Sequence, residues 1–305
     1  MRLDNVFGIG KKSCMAIDLV VEIESFSDKK ISIVLGANEN LMTAKDTAYK
    51  YSKIQNCNIE LGKVKSRWNE LLGKIHVKTP YESLNIMLNG WIMYQTISSR
   101  LLGRSGFYQS GGAFGFRDQL QDALGTKFLE PSILYNQIIR HSKHQFLEGD
   151  VEHWWHEENN RGIRTKFSDD LLWLPYMVIQ YVAHTGDYSI LDVKTTYLQG
   201  AELLEGEKER YDLFLSSDVE ETIYEHCKRA INRACNFGNA SDSMEEDSVV
   251  SCNFGVNGLP KIGIGDWNDG FSNIGPEGKG ESVWLGFFLY TILQGFISIA
   301  NHKQE

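Results

Sequence analysis

The sequence has few cysteines, and their arrangement excludes several kinds of site. The five are an odd number, they are scattered, and they form no C-x-x-C pair and no set with the spacing of metal ligands; they are Cys14, Cys57, Cys227, Cys235 and Cys252. Free thiols in a reducing compartment are the expected state, although a Cys235–Cys252 disulfide is an alternative. The N-terminus also lacks the apolar core of a signal peptide. Both absences favour a cytoplasmic protein.

An excess of positive charge is missing as well. The net charge is −9 and the isoelectric point is near 5.5, whereas surfaces that bind nucleic acid or anionic membranes need clustered lysine and arginine. Neither G-x-x-x-x-G-K-[ST] nor G-x-G-x-x-G, the two glycine-rich phosphate cradles, is present. A neutral or polar small ligand therefore fits the composition better than nucleic acid or a lipid surface.

The one long apolar run, residues 283–300, is close to the length of a membrane span. It is interrupted by Gly286, Thr291, Gln294, Gly295 and Ser298. We therefore expect a buried helix, with a membrane segment as the alternative.

The order of apolar residues predicts a short β region followed by a large helical body. Residues 15–24 and 30–35 are rich in β-branched residues and flank a polar turn, a strand–turn–strand signal. Two or three strands cannot form a domain alone, so they either pack on the segment that follows or belong to a larger sheet. From residue 41 onward apolar residues recur at helical spacing, and helices are predicted at 117–125, 131–147, 168–185, 196–204, 219–234 and 281–300. No second strand-rich region is expected, and helix hairpins arranged in an α/α toroid would place the intervening loops at one mouth.

Residues 263–270, G-I-G-D-W-N-D-G, form the most informative loop. Glycines allow sharp turns and close approach to a ligand, while Trp267 offers a flat apolar face and the aspartates offer a proton or an acceptor. This combination suits a sugar ring. The alternative is an Asx-rich turn between helices.

A second glycine-rich segment, residues 108–119, presents Arg117 and Asp118 at the head of the next helix. A ligand site is one interpretation, and a capping aspartate beside a surface arginine is the other. Downstream, Glu281 is expected to start the apolar helix and to point into the same mouth.

Residues 148–156 contain Trp154 and Trp155 flanked by His153 and His156. Two exposed tryptophans favour an aromatic sugar-contact loop, and plain packing is the alternative. A zinc site from the two histidines lacks a third ligand. Ser168, which precedes two aspartates, is predicted to cap a helix.

Five segments together resemble glycoside hydrolase family 94, a family of inverting phosphorylases that includes the phosphorylase-like domain of cyclic β-1,2-glucan synthases. They are YQSGGAFGFRDQLQD (108–122), GDVEHWW (149–155), GIRTKFSDDLLWLPY (162–176), GLPKIGIGDWNDG (258–270) and GKGESVWLGFFL (278–289). The first segment and YEHCKRAI (224–231) are most similar to the cyclic glucan synthase group.

The resemblance implies a mainly α fold: the last strands of a β-sandwich at 1–40, a helical linker at 41–79 and a partial (α/α)6 barrel at 80–305. It implies that Asp269 is the general acid, that Trp267 and Asp118 line the subsite for the sugar being cleaved with Arg117 adjacent, and that Arg104 contacts phosphate. Trp154, Trp155 and Glu281 complete the expected substrate-binding set. In inverting phosphorolysis phosphate is the nucleophile, so one carboxylic acid suffices. Asp269 would then need a raised pKa to act near neutral pH.

The expected partners are a β-linked gluco-oligosaccharide and inorganic phosphate as co-substrate, without a metal or another cofactor, and a homodimer is an option. The family's remaining phosphate-site residues, a histidine and a Thr-Gly pair, would lie beyond residue 305. We therefore expect a fragment of a longer enzyme, and a glucan-binding fragment without turnover is the alternative to an active one.

Overall fold

A computed structural model describes residues 16–104, 111–204, 206–235, 253–275 and 277–304. The chain divides into two compact units, Met1–Asn69 and Glu70–Glu305, and the division falls within the second helix. Cys14, Cys252 and the polar stretch 239–248 lie outside the described residues, while Cys57, Cys227 and Cys235 are free thiols.

The first unit differs from its sequence-based prediction. Among its described residues, 16–39 form no strand, and Ile17, Val20 and Ile33 are exposed. Strands need neighbours to satisfy their backbone groups, and this stretch forms no ladder within the described chain. Two helices follow, α1 (Leu41–Tyr51) and α2 (Ile54–Leu72). The helical prediction for residues 41–72 is confirmed, whereas the strand prediction for 16–35 is wrong in this structure.

The helices of the second unit occur mainly where the apolar period predicts them. Residues 82–102 are mainly helical, with α3 (Glu82–Ile86), α4 (Ile92–Gln95) and the π-helical turns Met87–Trp91 and Thr96–Leu102. A kink interrupts the first π-helical turn, where Asn89 and Gly90 have non-helical backbone angles. The later helices are α5 (Phe116–Leu124), α6 (Pro131–Ser142), α7 (Trp173–Thr185), α8 (Ile223–Cys235) and α9 (Val283–Lys303). The chain is therefore mainly helical.

Six strands contradict the expectation of a single strand-rich region. A four-stranded antiparallel sheet has the order β1 (Phe114–Gly115), β2 (Glu152–His156), β3 (Arg161–Thr165), β5 (Glu209–Leu213). A second sheet pairs β4 (Lys194–Gln199) with β6 (Leu215–Thr222). The helix predicted at 196–204 is wrong, because Thr195 and Tyr197 alternate into the interior as β-branched and aromatic residues do in a strand.

The main core is centred on α7, which packs against α5, α6, α8 and α9. Helix α9 contributes one face, with Leu285, Leu289, Ile292, Phe296 and Ile299 buried, whereas Phe287 and Tyr290 are exposed. The prediction of a buried helix is therefore correct for that face only. By length and composition α9 is able to span a bilayer, a test that core helices of soluble proteins also pass.

Candidate active site

The glycine-rich loop 263–270 is anchored to the segment that leads into α7. Ser168 Oγ donates to the carbonyls of Ile262 and Gly265 at 3.0 and 3.1 Å. Gly263 has a φ of +64°, and a Cβ there would lie 2.4 Å from the carbonyl oxygen of Lys166, so this position requires glycine. Ser168 therefore joins two loops and does not cap the following helix, whose first turn is the 3₁₀ segment Asp170–Leu172.

Asp266 fixes the middle of the same loop. Its buried carboxylate accepts from Ser282 Oγ at 2.7 Å and from the backbone N–H of Asn268 at 3.1 Å. Ser282 is the N-cap of α9, because its Oγ also accepts from the N–H of Leu285. Asp266 thus ties the loop to the start of α9, and its oxygens are occupied by structural hydrogen bonds.

Asp269 begins the short 3₁₀ turn Asp269–Phe271 and is brought against Arg117 of α5. Arg117 Nη2 donates to Asp269 Oδ1. The same guanidinium donates through Nη1 to the carbonyl of Asp266 at 3.1 Å. The Asp269 side chain is 38% exposed and that of Arg117 is 6% exposed, so the carboxylate lies at the surface of the site and the arginine behind it.

Two further carboxylates lie on the buried side of Arg117. Nη1 donates to both oxygens of Asp169 at 3.2 and 3.3 Å, and it lies 3.7 Å from Asp170 Oδ1. Burial of Arg117 disfavours its charge, but Asp170, Asp169 and Asp269 outweigh burial and raise its pKa. Burial, together with the neighbouring Asp170, raises the pKa of Asp169 to about 7 despite its contact with Arg117.

His153 extends this cluster from β2. Its Nδ1 lies 2.7 Å from Asp170 Oδ2, and its ring stacks on Phe167 with centroids 4.6 Å apart. Burial lowers the pKa of His153, but the adjacent Asp170 more than compensates and the net shift is upward. Of the two histidines in the zinc alternative, His153 therefore contacts a carboxylate. Among the described residues no group of three or more potential ligands is placed to hold a metal ion.

Trp267 and Asp118 also lie at this site. Trp267 is 53% exposed, and its Nε1 donates to Gln121 Oε1 of α5 at 3.1 Å. Asp118, in the first turn of α5, folds back over Gly115, where a Cβ would lie 2.3 Å from Asp118 Oδ2. Burial raises the pKa of Asp118. The structure thus joins Arg117, Asp118, Trp267 and Asp269, which the sequence places 150 residues apart in two groups.

The tryptophan pair is not a loop but part of strand β2, and the two rings face different surroundings. Trp155 is fully buried, stacked on His144 at 3.7 Å between centroids, so the expectation that it contacts a sugar is wrong in this structure. Trp154 is half-buried and packs against Tyr211 at 5.4 Å. Successive residues of a strand point to opposite faces, which explains the difference.

Glu281 and Arg104 make hydrogen bonds to nearby turns of the chain. Glu281 accepts from the backbone N–H and the Nδ2 of Asn257 at 2.9 and 2.6 Å, and these hydrogen bonds lower its pKa. It therefore holds the 255–258 turn, and α9 begins two residues later than predicted. Arg104 donates to the carbonyl of Gly112 at 2.8 Å and lies over the Phe114 ring at 4.1 Å.

Sequence reasoning missed the roles of Asp169, Asp170 and His153 in the cluster. The available signal was two adjacent acids before an apolar helix, which is also the pattern of an ordinary helix N-terminus. Arg117, the partner of the two aspartates, lies 52 residues from Asp169 in sequence, and His153 joins the cluster through Asp170. The packing of α5 against α7 and β2 brings these residues together.

Comparisons with known proteins identify the family to which the sequence is similar. Residues 67–305 match the model of the glycosyl hydrolase 94 superfamily, catalytic domain. The chain is 36% identical over 296 residues to the cyclic beta-(1,2)-glucan synthase NdvB of Rhizobium meliloti (strain 1021), covering 96% of this chain and 10% of that protein. It is 22% identical over 320 residues to N,N'-diacetylchitobiose phosphorylase of Vibrio furnissii, covering 96% of this chain and 35% of that protein. It is 28% identical over 228 residues to solabiose phosphorylase of Paenibacillus borealis, covering 74% of this chain and 24% of that protein. The chain therefore spans about a tenth to a third of the length of these relatives.

Proposed function

The chain belongs to the glycosyl hydrolase 94 superfamily, and from that membership we propose that it acts on β-glucosides by inverting phosphorolysis or glucan transglycosylation, with Asp269 as the general acid. The observation that carries the proposal is a half-exposed carboxylate, Asp269, on a glycine-rich loop beside an exposed Trp267. An aromatic face next to a proton donor is the minimum that a sugar subsite needs.

The proposed reaction uses one protein carboxylic acid. Asp269 donates its proton to the glycosidic oxygen as the bond from that oxygen to the anomeric carbon breaks. An oxygen of phosphate forms the new bond to that carbon from the opposite face, which gives an α-glucosyl phosphate. In glucan transfer a glucan hydroxyl displaces that phosphate in the reverse step, so that two inversions restore the β configuration. The departing sugar keeps the proton, and Asp269 is reprotonated by the incoming acceptor or by solvent.

This role requires Asp269 to change partners. Its contact with the Arg117 guanidinium is the arrangement of an ionised carboxylate, whereas a general acid carries a proton. We propose that the substrate replaces this contact when it occupies the site. Arg117 is able to stay in place, because Asp169 and the carbonyl of Asp266 continue to accept its hydrogen bonds.

The remaining assignments follow the family pattern. We propose that Trp267, Asp118 and Arg117 line the subsite of the cleaved sugar. Arg104 contacts phosphate in this proposal, and Trp154 and Glu281 complete the substrate-binding set. We also propose that α5–α9 are part of an (α/α)6 barrel, and their common core is in keeping with this. Residues 1–40 and 41–79 would then be the end of a β-sandwich and a helical linker.

Asp269→Asn tests the proposal. With phosphate and either cellobiose or β-1,2-glucan, the wild-type protein should release glucose 1-phosphate or change the length of the glucan. The variant should lose roughly 10²–10⁴-fold in turnover while it retains sugar binding. Asp218→Asn, at an exposed position of β6, is the matched control. Retained turnover in Asp269→Asn would reject Asp269 as the acid.

A glucan-binding fragment without turnover is the second candidate, favoured by the exposed ring of Trp267. It predicts that oligosaccharide changes the tryptophan fluorescence of the wild-type protein while no product forms. Trp267→Phe should then reduce the fluorescence change. Product formation by the wild-type protein decides against this candidate.

A further inference from the structure

Arg117 lies between an inner and an outer set of acceptors. The inner set is Asp169, with both oxygens on Nη1, and Asp170 at 3.7 Å; the outer acceptor is Asp269 on Nη2. One guanidinium therefore bridges buried carboxylates and the carboxylate proposed to act on the substrate.

The inner set is fixed in place. Trp173 Nε1 donates to Asp169 Oδ2 at 3.0 Å, and His153 Nδ1 lies 2.7 Å from Asp170 Oδ2. The Asp169 side chain is 0% exposed. Buried hydrogen-bonded charges of this kind hold one geometry, because any displacement leaves a charge unpaired in a low-dielectric interior. The outer partner, in contrast, lies on a loop at the surface.

We propose that Asp169 is a positioning residue that, through Arg117, sets both the place and the charge environment of Asp269. The proposal rests on the proposed function of Asp269 as a general acid. Asp169 does not reach the substrate in this scheme. Asp169 binds Arg117 on its buried side and offsets part of the positive charge of the guanidinium. Arg117 is then able to orient Asp269, while Asp269 is still able to take up the proton that a general acid needs.

Loss of the Asp169 charge should therefore strengthen the hold of Arg117 on Asp269. The charged groups around Asp269 are Arg117 and Asp118 on α5, Asp169 and Asp170 before α7, His153 on β2 and Asp266 on its own loop. Above about pH 7, where Asp169 is ionised, this set has one negative charge fewer in Asp169→Asn, which favours the ionised form of its remaining acids. The basic limb of the pH–rate profile, where a general acid loses its proton, should move to lower pH.

A comparison of two leaving groups separates positioning from folding. Cellobiose or a β-1,2-linked gluco-oligosaccharide needs a proton on its leaving oxygen, whereas 2,4-dinitrophenyl β-glucoside has a leaving group that departs without one. Phosphate is the acceptor in both assays, measured between pH 6 and 8. We expect Asp169→Asn to lower kcat roughly 10–100-fold on the oligosaccharide, with KM little changed, and to lower it less than about 3-fold on the dinitrophenyl glucoside. Asp169→Glu should recover part of the loss.

Two further variants keep the test decisive. Trp173→Phe removes the N–H that Asp169 accepts, together with part of a buried ring, and should show the same selectivity in weaker form, also if Asp169→Asn folds poorly. Asp150→Asn breaks another arginine–aspartate contact, with the buried Arg164, and should show no leaving-group selectivity.

Equal losses of Asp169→Asn on both substrates, or no loss on either, would overturn the positioning role. Failure of the proposed function has a different signature, because Asp269→Asn itself would then lack leaving-group selectivity. A wild-type protein that is inactive on both substrates would reject the proposed function and the positioning role together.

Discussion

Two buried arginines of this chain show how the same ionic chemistry is used in different ways. Arg164 of β3 donates through Nε and Nη2 to both oxygens of Asp150 at 2.6 Å, through Nη2 also to Glu148 at 2.9 Å, and through Nη1 to the carbonyls of Gly200 and Ala201. These five contacts match the five N–H groups of a guanidinium. Arg164 therefore joins two loops and a strand in one saturated cluster.

Arg117 distributes its contacts differently. Its Nη1 is shared by Asp169 and a loop carbonyl, and its Nη2 is directed to one oxygen of Asp269 at the surface. Arg164 binds one carboxylate through two parallel hydrogen bonds and uses every N–H donor, so it has no acceptor that a ligand could replace. Arg117 binds Asp269 through one oxygen at the surface, so it is able to release that acceptor and keep the others. The first arrangement suits a structural clamp, and the second suits a site in which a ligand replaces one partner.

Removing the saturated arginine should have the largest effect on stability. Arg164→Ala leaves Asp150 and two carbonyls without their donor in the interior, so the free energy of unfolding should fall by roughly 3–5 kcal/mol. Urea denaturation measures the loss, and Arg161→Ala, at an exposed position of the same strand, is the control. A loss of less than about 1 kcal/mol would contradict the assignment of Arg164 as a clamp.

Substitutions of the buried Trp155 and the exposed Trp267 should separate an effect on stability from an effect on sugar binding. Trp155→Ala empties a fully buried site and should cost about 4 kcal/mol of unfolding free energy. Trp267→Ala should change stability by less than about 1 kcal/mol and weaken oligosaccharide binding, because the ring is half-exposed at the proposed subsite. Denaturation and isothermal titration with β-1,2-gluco-oligosaccharide measure the two effects. Equal stability losses would show that Trp267 is a packing residue.

The pH dependence of the free energy of unfolding should report on Asp169, the buried carboxyl group beside Arg117. Burial raises the pKa of Asp169 to about 7, so between its ordinary value near 4 and pH 7 the folded protein binds a proton that the unfolded chain has lost. The stability from this group is full below about pH 4 and is lost as the pH rises through 7, by at most about 4 kcal/mol.

Asp169→Asn should remove this part of the slope, and Asp150→Asn should retain it. Urea unfolding at pH 4.5, 6 and 8 compares the three proteins. A wild-type protein whose stability rises over this range in parallel with that of Asp169→Asn would show that Asp169 is ionised throughout.

The smallest effect is expected at the buried pair Glu152–His144. Burial raises the pKa of Glu152 well above its ordinary value and lowers that of His144 well below its own, so burial disfavours the charged form of both partners of this 2.6 Å contact. Glu152→Gln should therefore cost less than about 1 kcal/mol, whereas Glu152→Ala should cost about 1–3 kcal/mol because His144 loses its partner. Thermal unfolding at pH 7 measures both variants. A large loss in Glu152→Gln would indicate a charged pair.

Sequence periodicity predicted the helices better than the strands. The apolar spacing located α5 to α9 to within a few residues, and α6, α7 and α8 differ by more than three at one end. Strand β4 was missed because its alternation spans only six residues and runs into a segment with apolar residues at helical spacing. The strands predicted before residue 36 show the opposite error, since local β-propensity forms no strand without a neighbouring one.

Half of the candidate site was accessible from the sequence. Asp269, Trp267, Arg117 and Asp118 stood out because glycines surround them and because their segments resemble a family. Asp169 and His153 did not, since their role depends on contacts across the fold. Trp155 was misassigned because reading residues 149–155 as a loop concealed the alternation that buries one tryptophan and leaves the other half-buried.

The contact of Gly263 with the Lys166 carbonyl divides the acid-bearing loop into two parts that tolerate diversification unequally. Up to Asp266 the chain is committed to the backbone of another segment and to the start of α9, so a library randomised there would be dominated by misfolded members. From Trp267 to Phe271 the residues are exposed, and apart from Asp269, which contacts Arg117, new side chains there are compatible with the same backbone. A designer who seeks altered sugar selectivity should therefore vary the second part, keep Asp269, and leave the first part unchanged.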